Sequence, residues 1–360
     1  MILMKSIKLF ALLLLLPSAN GYAQDSTAHL SVSGYAEAYY TYDFNKPSDH
    51  QRPGFFYSHN RHNEFNLNLG YLKAAYTASR VRANLALGTG TYMQANYAAE
   101  PDVLKNIYEA NAGVKLSSKK ELWLDAGIFA SHIGFESAVA KDCWTLTRSI
   151  LADNSPYYET GLKLGYTSTN GKWYISGMAL NGWQRIRKVN GNSLMSWGTQ
   201  VQYKPGSSIT INYSNFYGTD SPDSTRKKRF FHNFYGIFSF GKWGLTTGFD
   251  IGTEQKAKGS TNHNTWYAPV LILRYAPNER WALAARAEYY ADANGVIISS
   301  GTPNGFKTTG FSFNIDHSPF KQVLLRMEYR YLRSKDPVFS KNGAAIRTNS
   351  FVSSSLAVNF

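Results

Sequence analysis

From Leu30 onward, apolar and polar residues alternate with a period of two. Leu30, Val32, Gly34, Ala36, Ala38, Tyr40 and Tyr42 take one parity. Ser31, Ser33, Tyr35, Glu37, Tyr39 and Thr41 take the other. Similar runs span Phe65 to Tyr71, Val81 to Leu87, Tyr108 to Leu116, Leu122 to Phe129, Tyr158 to Tyr166, Trp243 to Ile251, Trp281 to Tyr289 and Val323 to Tyr331. Such alternation predicts β-strands with two unlike faces, because successive side chains of a strand point to opposite sides. Less regular strands are expected near Ile175, Val201, Ile211, Phe234, Val270 and Phe313. The final run puts Val352, Leu356, Val358 and Phe360 on one face, and the chain ends on that aromatic residue. An ending of this kind is expected of a strand that closes a barrel.

The connections between runs also alternate. Short ones fall at Ser117 to Lys120, Thr169 to Lys172, Lys204 to Ser207, Gly241, Ala276 to Glu279 and His317 to Lys321, and Ala78 to Arg80 would hide one more. Their Gly, Asn and Pro residues suit tight turns. Long ones fall near residues 43–63, 94–106, 131–156, 182–193, 218–229, 254–264, 291–305 and 333–346. Seven turns and eight loops predict a transmembrane antiparallel all-β barrel of about 16 strands, with 14 to 18 the allowed range, short periplasmic turns and longer outer loops. One barrel domain would occupy residues 25–360. A soluble β-sandwich fits poorly, because a face bearing Arg, Glu and Asn on most strands cannot line a dry core.

The ends and the composition support export. Met1 to Gln24 carries Lys5 and Lys8, an apolar stretch Leu9 to Leu16, Pro17, and small residues up to Ala23. That is the layout of a cleaved secretory signal peptide over residues 1–24, with an apolar stretch too short for a spanning helix. Aromatic residues make up 15% of the chain, a density that suits girdles at two membrane interfaces. One cysteine, Cys143, excludes a disulfide within the chain. Without the leader, 36 basic residues face 24 acidic ones, a net of +12. They are scattered apart from Arg226 to Arg229, so no nucleic-acid partner is expected.

Three stretches carry a family resemblance: Ser33 to Tyr40 (SGYAEAYY), Gly127 to Glu136 (GIFASHIGFE) and Ser155 to Gly161 (SPYYETG). Through them the chain resembles the OmpL-like β-barrel porins of Bacteroidetes. The resemblance implies a bacterial outer-membrane location and a porin that passes small hydrophilic solutes, with no cofactor and no catalytic residues. The expected partners are outer-membrane lipid and the barrel-assembly machinery, which reads a terminal residue such as Phe360. Trimers are common among porins of sixteen strands, which makes a homotrimer the assembly to test.

Candidate functional residues lie in the longest connection and on the inward parity. Val139, Cys143, Leu146 and Ile150 recur at helical spacing, so Ala138 to Leu151 is expected to form a short helix. Connection 131–156 is expected to fold into the lumen as a constriction, with Lys141, Asp142 and Arg148 on its polar face. Inward parity selects Arg82, Lys115, Lys163, Arg286, Arg326 and Arg330, against Glu37, Glu109, Asp125, Glu159, Asp250, Glu288 and Glu328. Rings of charge tune selectivity. The two signs nearly balance, so weak anion preference at most is expected. His59 and His62 at their spacing are a poor metal site, and Cys143 lacks the partners of a nucleophile. The competing readings are a barrel enzyme of phospholipase or protease type, and a plugged structural barrel. Only Ser131 with His132, and Asp316, His317 and Ser318, offer local catalytic candidates. Gly244, Gly248 and Gly252 alternate in one run and predict tight inward packing.

Overall fold

The computed structural model describes residues 28–360, so the expected leader lies outside the described residues. Antiparallel strands follow one another along the chain: β1 (His29–Asp43), β2 (Phe65–Thr77), β3 (Val81–Thr89), β4 (Ile107–Lys115), β5 (Glu121–Ala130) and β6 (Tyr158–Thr167). Then come β7 (Trp173–Leu180), β8 (Ser196–Gly206), β9 (Ile209–Gly218), β10 (Arg229–Phe240), β11 (Trp243–Gln255) and β12 (His263–Tyr275). The chain finishes with β13 (Trp281–Asp292), β14 (Phe306–Phe320), β15 (Val323–Ser334), the short pair β16 (Phe339–Lys341) and β17 (Ala344–Ile346), and β18 (Thr348–Asn359). Sixteen strands close into one barrel, β1 meeting both β2 and β18, while β16 and β17 form a separate hairpin.

Closure satisfies every strand edge, which is what a sheet needs where water cannot reach its backbone. At the seam the Gly34 amide donates to the Phe360 carbonyl at 2.8 Å and the Phe360 amide returns the bond to Gly34 at 3.1 Å. The Phe360 ring lies over Gly34, so a side chain at position 34 would push that ring aside.

The outward face is apolar and the expected parity holds along most of the chain. Leu85, Leu162, Ile175, Ile211, Leu271, Leu325 and Leu356 are exposed on it. Aromatic pairs bracket them near the tight turns: Trp173 with Tyr203 at 4.4 Å, Trp243 with Tyr275 at 4.6 Å and Trp281 with His317 at 4.2 Å. This is an aliphatic belt with an aromatic border, as lipid requires. On β2 the parity fails. A register shift between Glu37 and Ala38 turns Leu69 and Tyr71 inward, where the alternation places them outward, and leaves Leu72 outside.

Two helices, α1 (Thr91–Asn96) and α2 (Ile150–Asp153), sit in connections at the end of the barrel with the long loops. The helix expected over Ala138 to Leu151 does not form. That stretch is extended or irregular, apart from one 3₁₀ turn at Ala140–Asp142 and the start of α2. The apolar spacing is real, but the backbone finds partners on the barrel wall instead of within itself.

Candidate functional site: a loop hairpin inside the lumen

Connection 131–156 enters the lumen from the loop end, descends to the turn end and climbs back. Its contacts give the course in order. The His132 ring meets the Glu159 carboxylate at 2.7 Å and the Asn215 carbonyl at 2.7 Å. The Gly134 amide donates to Asn233 Oδ1 at 3.1 Å, and Phe135 and Trp144 fill the space left by Gly248 and Gly244 on β11. A Cβ at Gly248 would lie 2.5 Å from the Phe135 ring, and one at Gly244 would lie 2.6 Å from Trp144. The third glycine of that ladder, Gly252, accommodates Trp266. At the bottom, Lys141 Nζ donates to the Lys321 carbonyl, in the turn between β14 and β15, and to the Asn359 side chain. On the way up, Asn154 donates to the Phe55 carbonyl in the first long loop.

The wall of β13 to β15 holds this hairpin by its backbone. Arg326 Nη1 donates to the Ala140 carbonyl at 2.6 Å and Nη2 to the Cys143 carbonyl at 3.0 Å. The Leu146 amide donates to Asn314 Oδ1 at 2.9 Å, the Thr147 amide to Glu328 Oε2 at 2.6 Å and the Ile150 amide to Glu288 Oε2 at 2.8 Å. Arg286 reaches the Thr147 carbonyl at 2.6 Å and Arg330 the Arg148 carbonyl at 2.8 Å. Buried peptide groups need such partners, and here the wall supplies them from side chains. The same side chains pair with one another: Arg286 with Glu328 at 2.7 Å, Arg330 with Glu288 at 2.5 Å and Arg326 with Asp316 at 2.7 Å. Glu136 joins from the loop, accepting from the Ser149 amide and hydroxyl.

The sequence-selected residues therefore divide. Arg286, Glu288, Arg326, Glu328 and Arg330 come together, but they are buried under the hairpin and do not face water. Arg148 is also fully buried, and donates to the carbonyls of Ser137, Ala138 and Leu146. It shapes the hairpin and is not on a wet face. Lys141 and Asp142 lie at the turn-end mouth, Asp142 exposed. Arg82 and Asp125 pair at 2.6 Å on the opposite wall, and Lys115 pairs with Glu121 near the turn end. Lys163 sits over the Phe129 ring at 4.3 Å. Glu37 and His59 meet at 3.1 Å, while His62 accepts from the Asp43 amide, so the two histidines serve separate networks. Glu136, Thr145, Thr147, Asn314 and the aromatic knobs Phe135 and Trp144 escape a reading of charge parity. The glycine ladder of β11 was the one sequence signal for the two knobs.

The lumen is dry at one end and wet at the other. Around the whole circumference of the loop-end half, inward side chains are buried: Tyr39, Ala86, Phe129, Glu159, Leu180, Phe216, Phe231, Trp266, Tyr290 and Phe351. Phe55, Phe56 and Ile150 complete that packing from the loops. In the turn-end half, along β2 to β9, Lys73, Arg82, Asn84, Asn111, Tyr174, Gln200 and Gln202 keep partial exposure. The hairpin tip crosses the barrel seam, where Ala138 and Val139 pack with Tyr35 of β1, Leu324 of β15 and Ala357 of β18.

Two hairpin groups titrate away from their ordinary ranges. Burial pushes the Asp153 carboxyl up to about 7, partly opposed by Arg330 and Arg148. Burial alone would lower His132, but the Glu159 carboxylate raises it.

A family model described as "Putative beta-barrel porin-2, OmpL-like" matches residues 29–360. The chain belongs to this family of outer-membrane porins. Among solved structures it is similar to the anion-selective porin from Comamonas acidovorans, at 10% identity and a TM-score of 0.62, over 92% of this chain and 100% of that one. It is also similar to the trimer form of in-vitro folded OmpT from Vibrio cholerae, at 8% identity and a TM-score of 0.59, over 93% and 100%. OmpF of Salmonella typhi, in complex with daunomycin, matches at 9% identity and a TM-score of 0.57, over 92% and 97%. No curated protein matches. At such identities the structural likeness establishes the barrel fold alone.

Proposed function

We propose that this porin is a gated, non-enzymatic diffusion channel for small, mainly neutral hydrophilic solutes, and that hairpin 131–156 is its gate. The observation that carries the reading is the contrast inside one lumen. The periplasmic half of the β2 to β9 wall is wet and rich in amides and phenols: Asn84, Asn111, Gln200, Gln202 and Tyr174. Groups of that kind exchange hydrogen bonds with a passing solute without binding it as an ion. Their charged neighbours are mostly paired, Lys73 with Glu109 and Arg82 with Asp125. Lys163 has no ion-pair partner among the described residues, which leaves a weak anion preference. The outer half is closed by the packed aromatic ring, so passage requires the hairpin or the first outer loop to yield.

The residues 1–24 act in this reading as a cleaved leader that sends the chain through the periplasm, Phe360 as the mark read by the assembly machinery, and three copies as the working unit. A plugged structural barrel is the second reading, and the packed outer half favours it. Single-channel recording of the refolded mature protein decides. Rare, small openings that become frequent and larger when residues 138–151 are deleted support the gate. In the same salt gradient, Lys163→Glu is expected to move the reversal potential toward cations. A barrel that folds and never conducts, with or without the deletion, supports the plug.

A further inference from the structure

On the lipid-facing side of β8 to β10, four polar side chains interrupt the apolar belt. Trp197, Tyr217 and Phe230 pair across these strands as its outer aromatic border, and Tyr203 marks the border near the tight turns. Between them, on the same parity, come Thr199, Asn215, Tyr213 and His232. Elsewhere the belt presents leucines such as Leu271 and Leu356. The four polar side chains form a relay with a direction. Asn215 Nδ2 donates to Thr199 Oγ1 at 2.6 Å and to the Tyr213 hydroxyl at 3.3 Å, and that hydroxyl meets His232 Nδ1 at 2.8 Å. A phenol that accepts from Asn215 passes its own proton on, so Nδ1 accepts and Nε2 carries the ring proton. The relay thus ends in an open donor, His232 Nε2, and an open acceptor, Asn215 Oδ1. Neither has a partner among the described residues, and neither is sealed from the surface.

Polar groups left open toward hydrocarbon are costly, and lipid tails offer them no partner. A second copy of the chain offers both a donor and an acceptor. Copies in one membrane share an orientation, so the axis that relates them runs along the membrane normal and keeps each atom at its depth. Asn215 and His232 stand opposite one another across β9 and β10. Strands tilted by about 35–45° and about 4.8 Å apart put such a pair about 3 Å apart in depth, within the reach of an imidazole and an amide. The open donor of one copy can therefore meet the open acceptor of the next, whether two copies or three close the ring. The aromatic border beside the relay adds the kind of surface that protein interfaces favour. We propose that the outward face of β8 to β10 is the contact between copies of this chain, with His232 of each copy donating to Asn215 of the next. The inference rests on the reading that several copies form the working unit, and it names the face that joins them.

The test uses the protein extracted from outer membranes in mild detergent, with its mass read by sedimentation. The parent is expected to sediment as more than one copy, and His232→Leu and Asn215→Leu each to weaken the association about tenfold. Leucine suits a lipid-facing position, so both barrels should keep their folded, heat-sensitive mobility on a gel. His232→Gln retains a side-chain donor and should keep most of the assembly. If the leucine variants do not fold, crosslinking in whole membranes carries the test. The one native cysteine, Cys143, is buried, whereas Thr199 at the relay and Leu356 on β18, across the barrel, are exposed. A bis-maleimide should join copies through Thr199→Cys and not through Leu356→Cys. A monomeric parent would leave lipid on this face and overturn the contact together with the several-copy reading. Assembly undiminished in both leucine variants, or crosslinking at Thr199→Cys no greater than at Leu356→Cys, would overturn the contact alone.

Discussion

Two walls of one lumen carry the same kind of ion pair in different solvents. On β13 to β15, Arg330 and Glu288 meet at 2.5 Å with side chains 0% and 2% exposed. On β2 to β4, Lys73 and Glu109 meet at 2.5 Å with side chains 29% and 18% exposed. Distance does not separate them, but surroundings do. The first pair is sealed under the hairpin and spends its remaining hydrogen-bonding capacity on the Arg148 carbonyl and the Ile150 amide. The second faces water, where its attraction is screened. Charge on a barrel's inner face is therefore structural or functional according to what covers it.

The strongest way to break this contrast is to remove one partner from each wall. Glu288→Ala leaves Arg330 buried without its carboxylate and frees the Ile150 amide, at an expected cost of about 3–5 kcal/mol. Lys73→Ala is expected to cost about 0–1 kcal/mol. Amide exchange of residues 140–150 should rise sharply in the first variant and stay unchanged in the second. Equal effects would mean that the covered wall does not hold the loop.

A smaller effect should come from the glycine ladder. Gly248→Leu must displace Phe135, and overpacking of this kind costs about 1–3 kcal/mol. The expected readout is a higher open probability with an intact barrel, and Gly248→Ala should fall between it and the parent.

The smallest effect is that of pH. Asp153 and His132 both titrate higher in the folded hairpin than in an unfolded chain. The stabilisation tied to each is complete below its ordinary value and is lost as pH rises through the raised one. For Asp153 that window runs from the ordinary carboxylate range to about 7. The covered wall should thus loosen as pH rises from the ordinary carboxylate range to about 7, seen as more frequent openings. Asp153→Asn should flatten most of that dependence.

Strands and turns were legible because each strand must satisfy lipid on one side and a polar interior on the other, and a period-two pattern records that demand. Leu69 and Tyr71 were misplaced because a register shift is a pairing event with no mark in their own stretch. The helix over Ala138 to Leu151 failed for a related reason. Its apolar spacing is local, but its backbone partners, such as Arg326 and Glu328, lie more than 180 residues away. Inward parity selected the wall charges without their solvent, because no pattern within a strand says that a distant loop will cover it. The ladder Gly244, Gly248 and Gly252 did announce inward knobs, without naming Trp144, Phe135 and Trp266 as their source.

The hairpin tip touches Tyr35, Leu324, Ala357 and Asn359, which belong to the first strand and the last two strands of the barrel. Its seat thus exists only once the two ends of the chain have met. An unclosed sheet offers the tip one bank of its cradle and not the other. Complete seating of the tip therefore requires closure, and the seated tip lies as a latch over the joint, tying a segment from the first half of the chain to the pair of strands that finish it.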